Sequence, residues 1–300
     1  MLIQEKLNQI DPVVKAAVLN EALPYFQQFC GSIFVVKYGG SFMDDPDVSL
    51  RVRVIKDIVF LASVGIHVVV VHGGGKAISR GMEKAGIEVE FRNGLRYTTK
   101  EAISIVEQTL NEELNKEICE TIAQLGGNPA SLKGNDVLRC RKLSKDASGN
   151  EVDLGYVGEI TSVKTSEIRK RLGNLAIPVI SPIAVDKNGE SYNTNADLAA
   201  AQVARALGCR RLVFLCDVAG LLRNPEDPST LISSLKVNEV DPLIEQGVIG
   251  KGMLPKVEGA TIAINSGVKR VHFVDGRMPH SLLLEIFTDQ GIGTEIVSSA

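Results

Sequence analysis

Apolar and polar positions along this 300-residue chain change between two periods. Ile33-Phe34-Val35-Val36, Ile66 to Val71, Leu212 to Cys216 and Val271-His272-Phe273-Val274 are short runs apolar on both faces. They read as parallel strands covered on both sides. Val54, Ile58, Leu61 and Ala62 fall at the i, i+4, i+7 and i+8 spacing of a core-facing helix that Gly65 ends. Ile103, Val106, Leu110, Leu114, Ile118, Ile122 and Leu125 recur by threes and fours up to Gly126-Gly127, which predicts one long helix. Further helices are expected over about 196–207 and 256–266 and from near Pro279. Residues 129–163 change character: short polar-apolar alternations and the turn signal Ser148-Gly149-Asn150 predict hairpins, and a lid or flap could sit there. Asp11 before Pro12 is an N-cap followed by proline at the first helical position, so 1–30 reads as a helical arm that Pro24 should kink or restart. Alternating strands and helices favour an α/β fold around a mainly parallel open sheet. With no linker between its halves, the chain is expected to form two lobes sharing that sheet, 31–194 and 195–300.

Composition narrows the function more than the fold. Hydrophobic residues make up 44% and charged residues 23%, which excludes wholesale disorder. The 33 basic and 36 acidic residues balance to −3 without a Lys/Arg block, so no nucleic-acid or membrane partner is implied. Five cysteines without a C-x-x-C pair suggest reduced thiols. Glu5, Lys6 and Asp11 stand where a signal peptide needs an apolar core, so a cytoplasmic location is expected. The histidines His67, His72, His272 and His280 show no metal-ligand spacing, and no G-x-S-x-G elbow occurs.

Glycine placement points to anions. Gly39-Gly40-Ser41 follows the first strand and Gly73-Gly74-Gly75 the second, where backbone N–H groups can meet phosphate at the carboxyl edge of a parallel sheet. Tight strand-to-helix turns alone would also use such glycines. Neither cluster is a Walker A or a dinucleotide fingerprint. Lys37 ends an apolar strand, where an ammonium is costly unless it faces negative charge. Lys256 follows the glycine-rich Gly250-Lys251-Gly252-Met253 at a helix start. Tyr192-Asn193-Thr194-Asn195-Ala196-Asp197 sets two amides and a carboxylate at a helix N-terminus, which is ordinary capping chemistry and also a means of orienting lysines. Asn93-Gly94-Leu95-Arg96 puts an arginine in a turn, suited to clamping a carboxylate.

In that order and spacing, and with Cys216-Asp217-Val218-Ala219-Gly220-Leu221 and Gly252-Met253-Leu254-Pro255-Lys256, the chain resembles the amino acid kinase family over nearly its whole length. Within it, the chain is similar to arginine-inhibited hexameric members that phosphorylate N-acetyl-L-glutamate. The resemblance implies a two-lobed, three-layer α/β/α sandwich and phosphoryl transfer from ATP, with Mg²⁺ carried by the nucleotide and no protein metal site. It implies catalytic Lys37, Lys256 and Asp197, and an N-acetyl-L-glutamate site made of Gly40, Gly73, Gly74, Arg96, Asn193 and Asn195 in the 31–194 lobe. It implies a nucleotide site of Asp217, Val218, Gly220, Leu221, Gly250, Gly252 and Met253 in the 195–300 lobe. For the arm it implies hexamer assembly and an L-arginine pocket at Tyr25, His272, Glu285 and Gly293, with a PII-like regulator among the partners to consider. Lys76 stands where family members commonly carry proline, and Thr194 where an aliphatic residue is frequent. The alternatives are a sibling kinase for glutamate, aspartate, carbamate or UMP, and a non-catalytic arginine-sensing subunit; a nicotinamide oxidoreductase lacks its fingerprint.

Overall fold

A computed structural model describes residues 9–40, 43, 47–92, 94–145, 149–250 and 252–299. Ser41, Asn93, Ser148 and Lys251 of the motifs above lie outside the described residues, as does the start of the arm.

In chain order the elements are α1 (Pro12–Phe29), β1 (Ile33–Tyr38), α2 (Val48–Ser63), β2 (His67–His72), α3 (Gly75–Lys84), β3 (Phe91–Arg92), β4 (Leu95–Arg96) and α4 (Lys100–Gln108). A π-helical segment (Thr109–Leu114) joins α4 to α5 (Asn115–Gln124), and β5 (Pro129–Leu132), α6 (Gly134–Val137), β6 (Leu138–Lys142), β7 (Gly158–Val163) and α7 (Thr165–Gly173) follow. Then come β8 (Ile177–Ile180), β9 (Ile183–Val185), β10 (Ser191–Asn193), α8 (Ala196–Leu207), β11 (Arg211–Cys216), β12 (Ser234–Lys236) and α9 (Val240–Glu245). The chain closes with α10 (Leu254–Asn265), β13 (Arg270–Asp275), α11 (Ser281–Ile286) and β14 (Thr294–Val297).

An eight-stranded sheet runs β12-β14-β13-β11-β1-β2-β8-β5. Its pairs are parallel except β13 with β14. Strands from before residue 195 fill one half of this order and later strands the other. Val35, Val69, Val71, Phe214 and Phe273 pack one face against the alanines of α8 and Ala260 and Ala263 of α10. Phe34, Val36, Val68, Val70 and Val213 pack the other against Ile55 and Ile58 of α2 and Ile118 and Ile122 of α5. This is the three-layer α/β/α arrangement that the two-faced apolar runs require.

Three expectations need correction. Pro24 does not restart the arm helix, which runs unbroken through it. The carbonyl it deprives of a partner belongs to Asn20, an exposed residue, so water can supply the missing bond. Residues 129–132 form no hairpin; as β5 they add to the edge of the main sheet, parallel to β8. The hairpin expected thereafter is β6 with β7, and these join β9 and β10 in a four-stranded sheet. The long helix exists, but with the π segment at its centre.

Candidate active site

Alternation along β1 decides where Lys37 points. Phe34 and Val36 join the core on the α2 side, so Val35 and Lys37 face α8 and α10. Lys37 is only 6% exposed there, and such a cation requires a partner. Asp197, second residue of α8, provides it: Lys37 Nζ lies 3.0 Å from Oδ1, and Lys256 Nζ, from the first turn of α10, donates to Oδ2 at 3.0 Å. Asn195 caps α8, its side-chain oxygen accepting from the N–H groups of Asp197 at 2.8 Å and Leu198 at 3.1 Å. The cap fixes the backbone from which the carboxylate projects. Burial alone would push the Asp197 carboxyl up, but Lys37 and Lys256 together hold it below the ordinary carboxylate range. Burial likewise works against the charge of Lys256, and Asp197 overrides it and raises the ammonium. Two ammonium groups on one carboxylate leave the bridge itself with one positive charge in surplus, and the Asp217 carboxylate acts on Lys256 from the same cleft.

The glycine turns close around this bridge. A Cβ on Gly39 would fall 2.5 Å from Lys37 Nζ, so only glycine leaves room for that ammonium. Gly40 holds a φ of +108°, a conformation glycine tolerates best. The N–H of Gly73 donates to the Tyr38 carbonyl at 2.7 Å and ties the two turns together. It is therefore not free for an anion, contrary to expectation; Gly74 carries the next N–H. Gly74 is the N-cap of α3 and gives no side-chain capping bond, so the first N–H groups of that helix are open.

Arg96 is buried against α3, where its Nη2 donates to the Gly75 carbonyl at 2.7 Å and to Ser79 Oγ at 2.9 Å, and its guanidinium lies 4.7 Å from the centre of the Phe91 ring. Burial lowers its pKa, yet an arginine stays charged. Thr98, which the sequence did not single out, links it to Asn193: its hydroxyl donates to the Arg96 carbonyl at 3.2 Å and accepts from Asn193 Nδ2 at 3.3 Å. Lys76 is exposed in the first turn of α3.

One cleft joins Lys37 and Lys256 with Gly40, Asp217, Val218, Gly250, Gly252 and Met253. Gly220 and Leu221, expected in the same site, are not among its lining residues and turn toward β14: the Leu221 N–H donates to Thr294 Oγ1 at 2.8 Å, and a Cβ on Gly220 would meet the same hydroxyl at 2.5 Å. Cys216, not foreseen, also lines the cleft; burial pushes its thiol up to about 12, so it stays protonated.

A second cluster gathers around β13. His272 Nδ1 lies 2.6 Å from Glu285 Oε1, while Glu285 Oε2 accepts from the N–H groups of Ile292 at 2.7 Å and Gly293 at 2.9 Å. Burial drives the His272 imidazole toward neutrality despite the carboxylate. Burial also opposes the Glu285 charge, but His272 and the two N–H groups hold its carboxyl low. Arg211, which no sequence pattern singled out, caps this pair, with Nη1 2.5 Å from His272 Nε2. Tyr25 does not touch His272 or Glu285 in this network; its hydroxyl donates to Asp289, in the turn between Glu285 and Gly293.

The profile of the amino acid kinase family matches residues 32–275. The acetylglutamate kinase of Thermosynechococcus vestitus is 47% identical over 95% of this chain and 95% of its own length. That of Akkermansia muciniphila is 44% identical over 95% of this chain and 96% of its own. The structure of N-acetylglutamate synthase from Neisseria gonorrhoeae, complexed with coenzyme A and N-acetyl-glutamate, superposes with a TM-score of 0.82 at 27% identity. It is covered over 64% of its length by 95% of this chain, and the same synthase is also known complexed with coenzyme A and L-arginine. With a family match across most of its length and kinase relatives spanning nearly all of it, this chain belongs to the amino acid kinase family and is a kinase.

Proposed function

We propose that the chain transfers the terminal phosphoryl of ATP to the side-chain carboxylate of N-acetyl-L-glutamate, giving N-acetyl-L-glutamyl 5-phosphate for arginine biosynthesis in the cytoplasm. The observation that carries this reading is the Lys37–Asp197–Lys256 bridge between open glycine turns and a cleft. Phosphoryl transfer asks a protein chiefly for position and fixed positive charge around the moving oxygens. Lys37 and Lys256 supply that charge, and Asp197 orients both without neutralising both. The acceptor carboxylate is already ionised at neutral pH, with a reference value near 4.3, so no general base is needed. Gly40 and Gly74 offer backbone donors; Arg96 holds the substrate α-carboxylate, and Asn193, tied to it through Thr98, holds the acetylated end. Asn195 completes the acetylglutamate site, its side-chain oxygen meanwhile capping the helix that carries Asp197.

ATP occupies the cleft of Asp217, Val218, Gly250, Gly252 and Met253, with Gly220 and Leu221 holding the turn that follows Val218 through Thr294. Magnesium on the nucleotide phosphates would neutralise part of their charge; the surplus positive charge of the lysine pair suits the same oxygens. Residues 31–194 then form the acetylglutamate lobe, with β6 and β7 as its lid, and 195–300 the nucleotide lobe. L-Arginine inhibits from the His272, Glu285 and Gly293 cluster beside Tyr25. The exposed apolar face of α1 builds a homo-oligomer, a hexamer as a trimer of dimers.

The test is acyl-phosphate formation with MgATP and N-acetyl-L-glutamate, trapped as the hydroxamate, with and without L-arginine and against free glutamate and aspartate. Product from acetylglutamate that arginine suppresses is the expected result. Product without suppression would sink the arginine site, product only from another acid would make the chain a sibling kinase, and none from any would leave a sensing subunit.

A further inference from the structure

His72 ends β2 with a side chain that is wholly buried, and it is not among the residues lining the cleft. Its Nδ1 lies 2.8 Å from the carbonyl oxygen of Gly73. A carbonyl can only accept, so Nδ1 carries the hydrogen. Nε2 is then the lone-pair nitrogen, and Asn115 Nδ2 meets it at 3.4 Å. The orientation of Asn115 is fixed independently: the same Nδ2 donates to the Val179 carbonyl at 2.9 Å, and its Oδ1 lies 3.6 Å from the Cys119 thiol. Asn115 follows directly on the π segment, an irregularity that carries side chains off the spacing of an α-helix.

The carbonyl held by His72 belongs to the Gly73–Gly74 peptide. Among the described residues every peptide bond is trans, so in this planar unit the Gly74 N–H points opposite to the Gly73 C=O. A peptide between two glycines meets little steric resistance to turning over, and a flip would set a carbonyl where a donor stood. We propose that His72, braced by Asn115, is a positioning residue that locks the Gly73–Gly74 peptide with its N–H toward the transferred phosphoryl. This rests on the phosphoryl-transfer reading above. Burial, which keeps the imidazole neutral to about pH 4, agrees with a single fixed tautomer.

The test uses the full-length protein. Histidine labelled with ¹⁵N should report His72 as neutral and protonated on Nδ1 at pH 7; protonation on Nε2 would overturn the proposal even if no variant folded. In His72→Asn the amide nitrogen sits the same number of bonds from the backbone as Nδ1 and can still donate, whereas His72→Leu cannot. The expected result is kcat within a few fold of native for His72→Asn and about 10–10²-fold lower for His72→Leu, with KM for ATP unchanged and the two variants melting alike. Equal kcat in both variants would overturn it, since a merely structural role predicts equal effects. Lys256→Ala measured alongside separates the two readings: activity lost there but kept in His72→Leu sinks the positioning role alone, and activity kept in both sinks the site.

Discussion

At the scale of single residues, the bridge on Asp197 separates binding from chemistry. Lys256→Ala leaves Asp197 paired with Lys37, so the fold should persist while one of two fixed charges is gone. We expect kcat to fall about 10²–10³-fold with KM for acetylglutamate little changed. Arg96→Ala should do the reverse, raising that KM on the order of 10–10²-fold, as for loss of a charged hydrogen bond. Initial-rate kinetics on both would test the pair, and a kcat loss confined to Arg96→Ala would exchange their roles. Asp197→Ala is the poorer probe, because stranding two buried ammonium groups costs about 3–5 kcal/mol of stability. His72 gives a residue-scale prediction about pH. Its imidazole takes a proton near pH 4 in the fold but near 6.5 in the unfolded chain, so between these values the unfolded state binds more protons. The stability from its neutral form is therefore complete above pH 6.5 and drains away as pH falls toward 4, by about 3 kcal/mol in all. Urea midpoints across that window should fall less steeply in His72→Asn than in the native chain. Equal slopes would mean that the imidazole is not desolvated.

At the scale of elements, the strand-to-helix turns show how backbone shape is put to chemical use. Gly39→Ala would bring a methyl within 2.5 Å of Lys37 Nζ and 2.7 Å of Cε. Both atoms lie at the far end of a flexible side chain, so the lysine moves rather than the strand. The ammonium should leave Asp197, lowering kcat on the order of tenfold or more while the melting temperature stays within a few degrees. Unchanged kcat would show that Lys37 is not needed where it stands. These turns were legible in the sequence because glycines followed two-faced apolar runs, and the start of α8 was legible from the capping residues that lead into Ala196 and Asp197. The π segment was not, since Leu110, Leu114 and Ile118 keep an α-helical spacing whether or not a turn is widened. Its one trace is a pair of buried asparagines, Asn111 and Asn115, on an otherwise apolar face. β5 escaped notice because Pro129-Ala130-Ser131-Leu132 is short and has a proline and small residues where a sheet strand usually carries branched ones. Lys37, Asp197 and Lys256 each stood out locally. Their meeting follows from β1, α8 and α10 sharing one sheet face and edge, which no local pattern encodes.

At the scale of the molecule, α1 is the element whose packing is least complete. Phe26 meets Phe60 and Phe287, and Phe29 meets Phe34, so its C-terminal end is anchored on the body. Toward its N-terminus Val13, Val14, Val18 and Leu19 are 51–75% exposed. Such a contiguous apolar stripe on a solvated helix favours burial against another copy. The anchored end carries Tyr25, bonded to Asp289 in the turn that leads from Glu285 to the N–H groups it accepts from. Assembly through one end of α1 can thus bear on the His272–Glu285 cluster through the other. Val14→Glu with Val18→Glu places two charges one turn apart on the exposed stripe and leaves the anchored rings alone. Sedimentation velocity should show a smaller assembly than native, and the hydroxamate assay should show catalysis within a few fold of native with a weaker response to L-arginine. An unchanged mass would remove α1 from the interface. A smaller assembly that keeps its full arginine response would show that the His272 cluster acts within a single chain, without any signal carried along the arm.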